Sequence, residues 1–148
     1  MTPPPPALIE YYQKAIDISP DKFGAFYNMG NAYGMKGNYD KAIEFFQKAI
    51  ELGPVFLETE NWIPVEEALK RISDKIVFIL QHNKKLTKEK ILHFEKLIEH
   101  GYGLPNVLKI SYLMLQTYRR YVLEKDKRAI YELPKEQREF FLREIVKE

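Results

Sequence analysis

Residues 9–20 read IEYYQKAIDISP, and residues 43–54 read IEFFQKAIELGP, near-identical side chains in the same order at an offset of 34 residues. In each copy the apolar residues recur at i, i+3 and i+7 (Ile9, Tyr12, Ile16; Ile43, Phe46, Ile50), the spacing of one face of an α-helix. A fixed period of this length marks a unit of two helices that cannot bury its apolar face alone and stacks on neighbours to do so. The chain is therefore expected to be all-α at this end.

Between the two copies runs FGAFYNMGNAYGMKGNYDKAIEFFQKAIELGP, residues 23–54. Gly30 and Ala42 are small where two helices approach closely, and Phe26, Tyr33 and Phe46 are large and rigid where the space between them must be filled. Gly37 is the expected left-handed helix terminator, Asn38 or Asp40 the cap of the following helix, and Pro54 its end. Set out in this way, the segment resembles a tetratricopeptide (TPR) repeat. Phe26, Met29, Gly30 and Tyr33 stand at the signature positions of its first helix, and Ala42, Phe46, Ala49 and Pro54 at those of its second. The half-copy over residues 7–18 resembles the second helix of a preceding unit, with Leu8 in place of the usual alanine.

The resemblance implies antiparallel helix hairpins and a role in holding another polypeptide. In the family, the concave face comes mainly from the first helix of each unit, which here supplies Gly24, Tyr27, Asn31, Gly34 and Met35. Tyr27, Asn31, Gly34 and Met35 are thus the expected peptide- or protein-binding residues. Relatives that clamp the terminal carboxylate of chaperone tails use a lysine where this chain has Tyr27, although Asn31 matches their asparagine. That clamp is incomplete here. The helix over residues 7–18 carries more apolar surface than one neighbour would bury, so Leu8, Tyr11 and Tyr12 are expected to face a second copy, a partner or the chain's own C-terminal helices.

The 34-residue pattern stops at Pro54, because a further unit would place Glu60 at the aromatic position and Pro64 at the small one. The chain then divides into a repeat region, residues 7–56, and a C-terminal helical region, residues 62–148. Four helices are expected in the second. One runs from about Trp62 to Leu80, with Pro64 in its first turn and Ile63, Val65, Ala68, Leu69, Ile72, Ile76, Ile79 and Leu80 on one face, and could cap the repeat. One spans about residues 88–100, capped by Thr87 and stopped at Gly101; a third spans 105–125; a fourth begins at Pro134. Together they fit a small bundle.

Composition bounds the chemistry. With 148 residues, 45% hydrophobic and 30% charged, the chain is globular, and a formal charge of +2 announces no polyanion partner by itself. There is no cysteine, hence no disulfide, thiolate metal site or thiol nucleophile. His93 and His100 are seven residues apart, about 10.5 Å along a helix, too far to share a metal whose Zn–N bonds are about 2.0 Å. Glu89 and His93 could form only half a site. Glu66, Glu67, Glu136 and Glu139 lie among lysines and arginines as ordinary solvated helix faces. No phosphate-cradling glycine loop or nucleophile elbow is present, so no enzyme activity, cofactor or metal is expected. The N-terminal proline run does not read as a signal peptide, and no apolar stretch approaches a membrane span, which points to the cytoplasm. The alternative function is nucleic-acid binding through Lys109, Arg119, Arg120, Lys127 and Arg128, interleaved with Tyr112, Tyr118 and Tyr121 as stacking groups.

Overall fold

The computed structural model describes residues 6–59 and 63–148, and among them there are helices and turns but no strand. The chain forms two compact units, residues 1–65 and 66–148.

In the first unit α1 (Pro6–Ile18) packs on α2 (Phe23–Met35), and α2 packs on α3 (Tyr39–Thr59). The α2–α3 turn is local chemistry. Gly37 takes φ +76°, which closes α2 without Cβ strain, and the Asn38 side chain accepts from the Lys41 amide at 3.3 Å to cap α3. The close approach predicted at Gly30 is real: a Cβ there would lie 2.5 Å from the Phe46 ring, which is itself 1% exposed. Phe23, Phe26, Met29, Ala42, Phe46, Ala49 and Ile50 complete this core.

Pro54 does not end α3, contrary to its expected role. The helix continues through it to Thr59. An internal proline removes one amide donor and costs about 3 kcal/mol in an isolated helix. Here the extra turn carries Phe56 into the core, 2% exposed, with its ring centroid 4.5 Å from that of Phe23. Burying a phenyl group contributes about as much as the proline costs, and the Thr59 hydroxyl returns to the Val55 carbonyl at 2.8 Å to finish the helix.

The second unit is a small helical bundle. α4 (Val65–His82) buries Ala68, Leu69, Ile72, Ile76, Ile79 and Leu80; α5 (Lys88–Lys96) buries Ile91 and Phe94; α6 (Lys109–Thr117) buries Met114 and Leu115; α7 is Lys135–Phe140. Thr87 caps α5 as expected, accepting from the Lys90 amide at 3.2 Å. The expected start of α4 at Trp62 lies outside the described residues. Pro64 stands just before α4 rather than in its first turn, and Val65 is 44% exposed instead of joining the buried face.

Three helices widen into π turns at their C-terminal ends: α5 into Leu97–Gly101, α6 into Tyr118–Leu123 and α7 into Phe141–Val146. Gly101 therefore lies inside a turn, and the left-handed residues that break the chain are Gly103 and Leu104, at φ 72° and 49°. A 3-10 segment, Lys127–Glu132, that the charge pattern did not suggest follows the second π turn. Lys125 turns the chain at φ +62°, and the Asp126 carboxylate accepts from the Arg128 amide at 3.2 Å.

Candidate functional site

The candidate binding stripe lies on α2. Gly24, Tyr27, Asn31, Gly34 and Met35 fall at i, i+3, i+7, i+10 and i+11, within one narrow sector of the helix. The first four are half-buried and Met35 is 41% exposed. Tyr27 is fixed from below: its ring lies 5.8 Å from Phe23, nearly parallel, and 6.1 Å from Phe46. One turn on, Asn31 brings a carboxamide able to donate and accept at once. An aromatic ring held rigid by the core and an amide one turn away, flanked by two glycines, leave room for another backbone to approach. The stripe contains no charge.

On α1, Tyr11 is 67% exposed while Leu8 and Tyr12 are half-buried, and the two tyrosine rings meet edge to face at 5.8 Å.

The basic and aromatic residues of the second unit are arranged differently from the stacking surface expected of them. Tyr118 and Tyr121 point inward, 8% and 7% exposed. Tyr112 donates a short hydrogen bond to Glu99 and accepts one from Gln116 at 3.1 Å. Arg119 grips Glu95 with two parallel bonds, Nε to Oε2 at 2.7 Å and Nη2 to Oε1 at 2.9 Å, and reaches Glu124 with Nη1 at 3.0 Å. Arg120 spans Asp126 at 2.8 Å and Glu132 at 2.6 Å. These two guanidiniums, counted as phosphate contacts on charge alone, are already neutralised by carboxylates. Lys127 sits 4.1 Å over the Tyr121 ring. Lys109 and Arg128 are exposed.

The electrostatics follow from this pairing. Hydrogen bonding to Glu95 holds the Arg119 guanidinium more firmly protonated, and Arg119 in turn lowers the Glu124 carboxyl, as Arg120 lowers Asp126. Burial lowers the His82 imidazole, with Lys147 adding to the effect. Burial and then the Glu99 hydrogen bond push the Tyr112 phenol up to about 12, and burial raises Tyr102, Tyr118 and Tyr121. These tyrosines are held neutral in the fold, so their contribution is present below the ordinary tyrosine value of 10.0 and fades as pH rises above it, for Tyr112 through about 12. An alkaline titration followed by phenolate absorbance should show a late group of tyrosines that ionise together with loss of helical circular dichroism. Independent ionisation near pH 10 with the helix signal intact would contradict it.

His93 and His100 are exposed, and Glu89 and His93 border only an open hollow with Leu92 and Lys96. Among the described residues no group of three or more His, Asp or Glu side chains is placed to hold a metal, and no helix is long and apolar enough to cross a membrane. The buried Glu95, 4% exposed, had no signal in the sequence, where it reads as one more surface acid of an amphipathic helix.

Stacked helix hairpins with small residues at the crossing and aromatics between them define a helical-repeat protein in the first unit. The repeat is tetratricopeptide: the family model described as Tetratricopeptide repeat matches residues 24–54, and a second, TPR repeat, matches residues 9–37, about one and a half repeats in all. Among characterised proteins, the chain is 29% identical over 114 residues to FK506-binding protein 5 of Rhizopus delemar, an alignment covering 63% of this chain and 30% of that one. It is 31% identical over 72 residues to the Photosystem I assembly protein Ycf3 of Rippkaea orientalis, covering 38% of this chain and 42% of that one. The chain thus spans less than half the length of either relative.

Proposed function

We propose that this chain is a non-enzymatic adaptor that holds an uncharged peptide or protein segment along α2, through Tyr27, Asn31, Gly34 and Met35. The observation that carries the reading is the stripe itself: an uncharged sector of a tetratricopeptide helix, its ring immobilised by Phe23 and Phe46 and its carboxamide one turn away. A ring ordered in advance loses little side-chain entropy on binding. A relative that is by name an assembly protein fits a holding role.

Peptides selected on the full chain from a random phage-displayed library provide the test. They should bind about tenfold more weakly to Asn31→Ala, the loss of one hydrogen bond, and should not be retained by Asn31→Ala combined with Met35→Lys. Selected peptides that bind the double variant as well as the parent would move the surface elsewhere.

A further inference from the structure

The formal charge of the whole chain conceals an excess in the second unit, where residues 66–148 hold 18 lysines and arginines against 13 acids. Part of that excess collects in one place. Lys88, the first residue of α5, reaches Glu124 at 3.4 Å, just beyond the π turn that ends α6. This contact sets residues 84–88 beside residues 124–128, which together present Lys84, Lys85, Lys88, Lys125, Lys127 and Arg128, all exposed. The two segments contain two acids, and both are taken. Glu124 is held by Arg119 at 3.0 Å as well as by Lys88, and Asp126 by Arg120 at 2.8 Å and by the Arg128 amide. Glu89 borders the hollow with His93 and Lys96 instead, and Glu148, which accepts from the Tyr121 hydroxyl at 3.1 Å, is offset by its neighbour Lys147. Lys84, Lys85 and Lys125 have no ion pair among the described residues. Helix dipoles do not account for the cluster, because cations complement a helix C-terminus and are unfavourable at an N-terminus. Lys84, Lys85 and Lys125 follow helix ends, but Lys88 opens α5, and Lys127 and Arg128 open the 3-10 segment. Half of the cluster thus stands where the local dipoles would favour acids.

We propose that this surface docks an acidic protein segment whose carboxylates lie across the two loops. Charge complementarity calls for an anionic partner, and the side chains decide between such a segment and a nucleic acid. Five of the six cations are lysines, point charges without the planar fork that pairs with phosphate or guanine. The neighbouring forks, Arg119 and Arg120, are filled by carboxylates. Tyr118 and Tyr121 are buried, and the Arg138 guanidinium covers one face of Tyr131, which leaves bases little to stack on. An acidic segment asks only for charge, since an extended chain offers a side chain about every 3.3 Å. Because the cations stand in water, the attraction is screened by salt. The stripe on α2 is uncharged, so this is a second, separate contact that does not rest on the reading of that stripe.

Fluorescence anisotropy of a labelled decaglutamate peptide titrated with the full chain provides the test. Binding should be present at low salt and fade towards about 1 M, where the Debye length is about 3 Å. Lys84→Glu with Lys85→Glu should weaken it by about tenfold or more and leave helical circular dichroism unchanged, since both side chains stand exposed in the loop before α5. Lys70→Glu with Lys109→Glu alters the net charge equally, but toward the opposite ends of α4 and α6, and should leave binding within about twofold. Equal losses from the two pairs would reduce the effect to net charge and overturn the proposal. Absence of binding at low salt, or tighter binding of a decathymidylate strand than of the peptide, would overturn it as well. Asn31→Ala should leave decaglutamate binding unchanged, so failure of the α2 reading and failure of this one are separate results.

Discussion

Arg119→Ala should lower the unfolding free energy by about 3–5 kcal/mol, the usual result of removing one partner of a buried ion pair. Glu95 is 4% exposed, and Arg119 donates to both of its carboxylate oxygens, at 2.7 and 2.9 Å. Without the guanidinium the acid is left in the interior with neither water nor these donors, while Glu124 keeps Lys88 at 3.4 Å. Domains are stable by only about 5–15 kcal/mol, so the variant should show a much lower urea midpoint. Arg120→Ala is the control. Its carboxylate partners are 39% and 52% exposed, so water can replace the arginine and the midpoint should scarcely move. Equal, small effects of the two substitutions would show that Glu95 is not buried as described. Glu95→Leu combined with Arg119→Met should recover most of the loss, because a well-packed apolar pair often matches a buried ionic one.

The same pair explains why part of the chain was legible in the sequence and part was not. Gly37, Asn38, Thr87 and the large-on-small packing of Gly30 with Phe46 depend on residues a few positions apart, or on a repeat that states its own register. Such features follow from local geometry. Arg119 and Glu95 are 24 residues apart, and no local pattern marks either as buried. Counting charge along the third C-terminal helix therefore read two committed arginines as free cations, and it missed the 3-10 segment that Asp126 caps and Arg120 braces. The π turns had no local sequence signal either; two of them meet through residues 20 positions apart, where the Tyr121 ring lies edge-on to Phe141 at 6.1 Å. On α2, Tyr27 and Asn31 were singled out by resemblance alone, and what the structure adds is the pair of rings beneath Tyr27.

Phe56→Ala should cost about 3–5 kcal/mol, as removal of a buried phenyl group does. If α3 ended at Pro54, Phe56 would lie in a surface loop, and its removal would change stability by about 0.5 kcal/mol or less. The helix instead carries the ring against Phe23 at 4.5 Å, and Phe23 stacks on Tyr27 at 5.8 Å. The substitution should therefore be felt twice, in the urea midpoint and in weaker binding of library-selected peptides, because Phe23, which lies against Tyr27, loses its own backing. Pro54→Ala is the companion measurement. In a helix that already runs through position 54, alanine restores an amide donor and removes ring crowding, a gain of about 3 kcal/mol at most. The greater freedom of the unfolded chain reduces that by about 1 kcal/mol. A net rise of about 1–2 kcal/mol is expected, with peptide binding unchanged. A loss of stability on Pro54→Ala together with a negligible effect of Phe56→Ala would place the end of α3 at the proline, and Tyr27 would then have to be held by Phe23 and Phe46 alone.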